Sequence, residues 1–557
     1  MRRLLLNIAL LGLSQAAWAQ QTPPPGATGG QIQQIPLAPI PPRPLPEIRV
    51  EEGNAPQLPL SDQTKILVKT LRVTGQTIYS EAELLAVTGF SPGTELTLPD
   101  LRALALKIAG YYRKNGYFVA HAYLPQQDIK EGLVTIAVIE GRYGAITLRN
   151  QSNLSDALAR RLLEGVRSGD TIAIAPLESS LLNLSDMPGV IVKSTLVPGA
   201  SVGTSDLIVD VTQGRRFSGS VDADNAGNRY TGENRIGATV NFNEPLGLGD
   251  VASLRVLTSG TGLNYARASY QLHLGKAMLG VAYTALNYRL GREFAALRAH
   301  GTATIASVYG SYPLLRSRSS NLYAQLGYDD KTFQDRVDST STVTDKKARV
   351  WMASLLGDRR DGFGGGGVTA FSLTWSSGVI DILTPAALAA DAAGARSNGQ
   401  FNKLGFTLTR LQNLTDTTSF YASLSGQAAS KNLDISEKML LGGVYGVRAY
   451  PAGEAFGDEG YLLNLELRKT VPKFSENMPG QMQAVAFIDT GTVTINKNPW
   501  VAGENRRTLS GAGVGLTWIE NNNFVVKAYY ARKLGNAVAT SAPDRSGRFW
   551  IQGIKYF

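Results

Sequence analysis

The sequence predicts a membrane β-barrel of sixteen antiparallel strands, preceded by two small α+β domains. Three observations predict it. After Gly214 the hydrophobic pattern changes from helical spacing to period-2 alternation. The segments joining the alternating runs are short and long by turns. Ahead of Gly214, one order of elements, strand–helix–helix–strand–strand, occupies residues 65–140 and occurs again over 141–213. At 557 residues the chain is too long for one ordinary domain.

The first residues, MRRLLLNIALLGLSQAAWAQ, carry two arginines, an apolar run and an Ala17-Trp18-Ala19 site. They read as a secretory signal peptide, 1–19. Residues 20–64 hold eleven prolines and read as an extended linker without a core and without a helix of useful length. The chain contains no cysteine, which excludes disulfides, thiol-anchored lipid and Cys-ligated metals. The net charge of +10 is spread along the chain, so it points to a basic aqueous lumen rather than to nucleic acid.

In the first repeat, KILVKTLRVTG is a strand, and SEAELLAVTG is a short helix opened by a Ser-x-x-Glu cap. LTLPDLRALALKIAGYYRKNG is a longer helix, followed by the strands YFVAHAYLP and GLVTIAVIEG. The second repeat runs GAITLRN, NLSDALARRLLEGV, APLESSLLNLSDMPG, VIVKSTLVPG and SDLIVDVTQG. Over 214–557, strands are expected at about 216–224, 235–243, 251–258, 264–274, 277–290, 302–312, 321–330, 348–357, 368–377, 402–411, 418–427, 461–469, 482–491, 508–519, 523–532 and 547–556. Alternation of apolar and polar residues suits a wall with lipid outside and water inside. The gaps after even-numbered strands are mostly short, and those after odd-numbered strands are mostly long, notably 331–347, 378–401 and 428–460. Short turns on one side and long loops on the other are the asymmetry of outer-membrane barrels. An even strand count puts both barrel ends, and hence the tandem domains, on the short-turn side. The apolar piece 437–443 belongs by this parity to the longest loop.

Several motifs carry no chemistry. DADNAGNRYTGE, 222–233, has Asp222, Asp224, Gly227 and Glu233 at calcium-loop offsets, but Ala226 breaks the set and the flanks are strands. GAGVG, 511–515, and GFGGGG, 362–367, do not open helices after strands. They serve turns and close packing rather than phosphate. His121, His273 and His300 lack metal-ligand spacing, and no nucleophile elbow occurs. No cofactor, metal or catalytic residue is expected, and the chain is not read as an enzyme. Two features stand out instead. In VAFIDTGTV, Phe487, Asp489 and Gly491 share the lumen face if Ala484, Ala486 and Ile488 face lipid. In the longest loop, Val447, Arg448 and Tyr450 lie in a Gly-rich stretch. An arginine buried in a barrel requires a bidentate carboxylate partner.

The stretch GVRAYPAGEAFGDEGYLLNLEL resembles the signature loop and strand of two-partner-secretion transporters, the hemolysin-activator family of barrels with POTRA domains. DNAGNRYTGENRIGATVNFNEPLGLGD, YPLLRSRSSNLYAQLGYDDK and FIDTG carry the same resemblance, in the family's order, over 65–557. It implies that the two repeats are POTRA domains in the periplasm and that 214–557 is an outer-membrane barrel exporting one large exoprotein of hemolysin or adhesin type. It implies that Arg448 pairs with Asp489 inside the lumen. It also implies contact with outer-membrane lipids, and with the barrel assembly machinery during biogenesis, to which the terminal Phe557 is presented. A monomer is expected, and no nucleic-acid partner. Two departures stand: Ala449 replaces the usual glycine after the arginine, which requires a negative φ or strain, and the proline-rich 20–64 leaves no good helical stretch of about 12 residues for the family's plug helix, whose presence here stays open. An insertase of the same superfamily and a passive porin remain alternatives.

Overall fold

A computed structural model describes residues 28–36, 39, 46–51 and 64–557 of the chain. The expected signal peptide lies outside them. The body of the molecule is a closed barrel of sixteen antiparallel strands. These are β1 (Phe217–Asp224), β2 (Arg235–Asn243), β3 (Val251–Thr258), β4 (Leu263–Leu274), β5 (Ala277–Arg289), β6 (Ala299–Arg316), β7 (Ser320–Val337) and β8 (Thr342–Asp361). They continue as β9 (Gly367–Ile382), β10 (Gly399–Asn413), β11 (Thr418–Ala429), β12 (Glu459–Val471), β13 (Gln481–Thr494), β14 (Arg506–Glu520), β15 (Phe524–Lys533) and β16 (Gly547–Tyr556). The barrel closes where Ser220–Asp224 of β1 pair with Gln552–Tyr556 of β16. Phe557 continues that seam by exchanging backbone hydrogen bonds with Gly219 at 3.1 Å each way. Closure leaves no unpaired edge in lipid, the condition for crossing a membrane with strands.

The alternation places the side chains as expected. Val240, Leu254, Val281, Trp351, Phe371, Trp375, Phe406, Ile488 and Leu516 are exposed on the outer wall, as a lipid-facing belt requires. Strands β6 to β9 outrun their sequence signal. β7 and β8 continue to Val337 and from Thr342, so most of the loop expected over 331–347 is strand. There the ladder persists while polar residues take both faces, and Arg336 and Asp345 join across it at 2.6 Å. Beyond the lipid band nothing requires an apolar outer face. Within 378–401, the helix Pro385–Ala393 caps the gap between β9 and β10. The piece at 437–443 stays in the long loop, where Met439–Leu440 pair with Phe456–Gly457.

The rim with short turns also carries the tandem domains. In the first, Thr70–Thr74, Leu133–Ile139 and His121–Tyr123 form a sheet, parallel then antiparallel. Two helices cover it, Glu81–Thr88, capped by Ser80 as its sequence predicts, and Leu98–Lys114. Leu84, Leu101, Ile108, Tyr112 and Ile136 fill the core. The second repeats the plan with Arg142–Gln151, Thr204–Gln213 and Val190–Pro198 under the helices Asp156–Leu162 and Ile174–Ser185. Arg316 at the end of β6 grips Asp186 of this domain through Nε and Nη2, at 2.7 and 2.8 Å.

The expectation for 20–64 needs correction at two places. Glu47–Val50 is a strand that adds in parallel to Val190–Pro198, on the outer edge of the second domain's sheet. Thr28–Gln33 is a short helix, α1, buried inside the barrel near the rim opposite the domains. Its propensity is poor, with two glycines in six residues. Packing makes it: a Cβ on Gly29 would lie 2.7 Å from Ser436 Cβ, so only glycine lets the helix lie flat against the long loop. Asp335 accepts the Thr28 backbone N–H at 2.9 Å, placing a carboxylate at the positive end of α1.

Candidate functional site

The loop 430–458, between β11 and β12, folds back into the lumen. Arg448 lies at its deepest point against β12, β13 and β16, and is 4 % exposed. Its backbone N–H and its Nε donate to Asp489 Oδ2 at 3.0 and 2.9 Å. Its Nη2 donates to Asp489 Oδ1 at 2.7 Å, and its Nη1 to Glu466 Oε1 at 2.8 Å. The guanidinium stacks 3.5 Å from the centroid of the Phe487 ring. Trp550 Nε1 donates to the Arg448 carbonyl at 2.7 Å. One residue is thus fixed by both its backbone and its side chain. The planar fork meets a carboxylate bidentately, which a lysine cannot do.

The neighbours explain the spacing of the motifs. Asp489, with no exposed surface, also accepts Asn464 Nδ2 at 2.8 Å. Val447 and Tyr450 are fully buried, and Tyr450 donates its hydroxyl to the Ala537 carbonyl at 3.1 Å. A Cβ on Gly491 would come within 2.8 Å of Leu441, so that glycine makes room for the loop. Gly511 and Gly513 do the same for Ala449 and Phe487, at 2.4 and 2.5 Å, which gives GAGVG its packing role. Ala449 is not among the non-glycine residues of positive φ, so its methyl group brings no backbone strain. Leu462, the apolar exception on the lumen face of β12, is buried among the loop's own apolar residues.

Val447, Arg448, Tyr450, Phe487, Asp489 and Gly491 therefore meet at one place. Sequence reasoning missed Asn464, Glu466 and Trp550 as members. Asn464 and Glu466 share the polar face of one strand, a signal that became specific only with the register. That register sets Asn464 opposite Asp489, and Glu466 opposite Phe487.

A second group of charges holds the near part of the loop. Lys346 donates to Asp434 at 2.6 Å, and Lys331 and Lys403 both reach Glu437 at 2.8 Å. Farther along, Glu454 accepts the backbone N–H groups of Thr540 and Ser541 at 2.8 and 2.9 Å. In the seeming calcium loop, Asp222 and Asp224 are taken by Arg255 and Arg235, each bidentately. The arrangement holds a loop and a short helix across a water-facing pore with charges.

Two family models match the chain. Residues 203–518 match the family described as haemolysin secretion/activation protein ShlB/FhaC/HecB, and residues 66–141 match the POTRA domain, ShlB-type. The heme/hemopexin transporter protein HuxB of Haemophilus influenzae strain 86-028NP is 31% identical over 473 residues, 84% of this chain and 82% of that protein. The outer membrane transporter CdiB of Dickeya dadantii is 23% identical, over 81% of this chain and 80% of its own. The solved structure of CdiB from Escherichia coli superposes with a TM-score of 0.67 at 20% identity, covering 90% of this chain and 93% of that one. It is the same fold.

Proposed function

The chain belongs to the haemolysin secretion/activation family, outer-membrane transporters of two-partner secretion, and on that premise we propose that Arg448 and Asp489 lock the long loop across its pore. The barrel stands in the outer membrane, its POTRA domains lie in the periplasm, and it carries an exoprotein to the cell surface. One observation supports the lock. Three N–H groups of a single loop residue converge on one wall carboxylate. Neither side chain takes part in the strand ladder, so the loop can leave without opening the barrel. Residues 65–140 and 141–213 act as the two POTRA units and 214–557 as the barrel. An unfolded exoprotein adds to a POTRA sheet edge as a strand. The first domain offers such an edge at His121–Tyr123, while Glu47–Val50 occupies that of the second. The likeness to heme/hemopexin transporters favours an exoprotein that handles heme or hemopexin. The transporter works as a monomer, and the paired terminal Phe557 is the feature its assembly machinery reads.

The test is secreted exoprotein per folded barrel. Arg448→Ala and Asp489→Ala should each keep the heat-resistant mobility of a folded barrel and lose most export. The double variant should be no worse than either single, since both remove one interaction. Normal export by Arg448→Ala, or additive losses in the double variant, would overturn the lock.

A further inference from the structure

Beside the lock lies a cavity of about 230 Å3, lined by Tyr421, Tyr445, Arg468, Lys527, Tyr529 and Trp550 among others, with Arg448 and Glu466 as its inner wall. Tyr421, Arg468 and Lys527 stand near the periplasmic ends of β11, β12 and β15. The cavity therefore faces the side from which an exoprotein enters.

Its charges do not balance. Among the described residues, Arg448, Arg468 and Lys527 meet only two carboxylates, Asp489 and Glu466. Asp489 is taken by Arg448, and Glu466 is shared, with Oε1 on Arg448 and Oε2 on Arg468. Among the described residues, Lys527 forms neither an ion pair nor a hydrogen bond. It lies on the lumen face with Tyr529, and in the ladder it stands opposite Thr517 and Gln552, which offer no charge. Arg468 uses only Nε and Nη2, both on Glu466, and lies 4.3 Å from the centroid of the Tyr421 ring. Among the described residues the site carries one more cation than carboxylates, and aromatic faces surround it.

We propose that this cavity binds a carboxylate side chain on an extended segment of the exoprotein in transit, with Lys527 as its counter-ion and Arg468 as a second donor. The aromatic walls suit the flanking backbone and small side chains of such a segment. A point-charge ammonium on a flexible stem can follow a moving carboxylate, whereas a bidentate arginine fixes one in place. The inference rests on the translocation reading, and it assigns to that pore a station for acidic residues just before the lock.

The experiment is equilibrium binding to the full-length protein in lipid nanodiscs. The probes are a short blocked peptide of Thr, Gly and Val with one central aspartate, and the same peptide with asparagine. The aspartate peptide should bind the natural protein about tenfold more tightly, the worth of one hydrogen-bonded charge pair. Lys527→Gln should bring that ratio close to unity, and Lys527→Arg should keep most of it. Arg267→Gln removes a lumen cation elsewhere, one bonded to Thr284, and should leave the ratio unchanged. Inorganic phosphate should not displace the aspartate peptide. Equal binding of the two peptides, a ratio that survives Lys527→Gln, an equal fall in Arg267→Gln, or displacement by phosphate would each overturn the proposal. Heat-resistant mobility confirms that each variant is folded. The readout is binding and not export, so a failure here leaves the lock standing, and a failure of the lock leaves the peptide ratio in place.

Discussion

In the second tandem domain, Leu158, Leu162, Leu177, Leu181 and Val209 meet in an apolar core. In the lumen, what meets is Lys331, Lys346 and Lys403 with Asp434 and Glu437, and Arg448 with Asp489 and Glu466. The first kind of cohesion grows with buried area and has no direction. It suits a domain that must stay folded on its own. The second is directional and exchangeable. The loop also packs Leu441, Val447 and Tyr450 against Phe487 and Leu509 of the wall, but each charge it leaves behind on release can be met by water or by a passing chain.

Removing one partner of a buried pair tests this contrast most strongly. Lys346→Gln strands Asp434 and should weaken docking of the loop and α1 by roughly 3–5 kcal/mol. The barrel should keep its heat-resistant mobility, and its conductance in planar bilayers should rise. A variant that loses the folded barrel would show that the lumen charges hold the wall as well, and the contrast would fail. Next is the apolar side. Ile136→Ala empties part of the first POTRA core and should cost about 3 kcal/mol. Limited proteolysis should then remove that domain while barrel mobility stays unchanged. If the barrel is lost with it, the two regions are not independent.

Glu244 lies between the two regimes, in the turn joining β2 and β3, against Gly189 of the second domain. It is 1 % exposed, and among the described residues only the Gly249 backbone N–H offsets a charge on its carboxylate. Burial, together with the nearby Asp250 carboxylate, pushes it from 4.5 up to about 7. The folded protein thus holds this proton where the unfolded chain releases it. The stability from this group is full below 4.5, falls as pH rises toward about 7, and is flat above. Glu244→Gln should remove the slope and stabilise the junction on the order of 2 kcal/mol in mild alkali. Urea titrations in acid and in mild alkali read it, and an unchanged slope would exclude Glu244 as its source. The smallest effect belongs to the covered edge. Arg49→Pro deletes an N–H from the added strand and should loosen it by about 1 kcal/mol. Binding of an exoprotein segment to the second domain should then tighten. Unchanged binding would mean that the edge is not where segments add.

The strands were legible because a wall between lipid and water imposes a period of two on every residue that crosses it, and the tandem domains because a repeated pattern is visible without contacts. Arg448 and Asp489 were legible for another reason, a bulky Gly-rich loop and a lone lumen carboxylate that resemble a known family. Legibility ends where the signal is no longer local. Asn464 and Glu466 looked like ordinary lumen residues until the register put them beside Phe487 and Asp489. Trp550 gave no signal at all, since its partner is a backbone carbonyl in another element.

The sequence by itself therefore determined the number of barrel strands, the rim that bears the domains, and which loop carries the arginine, since each follows from periodicity, parity or motif. Only the tertiary structure decided that 20–64 is more than a linker. Glu47–Val50 is extended because Val190–Pro198 presents an open edge far along the chain, and Thr28–Gln33 is helical because Ile435 and Ser436 lie close against its two glycines and Asp335 accepts its first N–H. Neither stretch has a pattern of its own. In both, the partner supplies the hydrogen bonds and the close packing that the local sequence lacks.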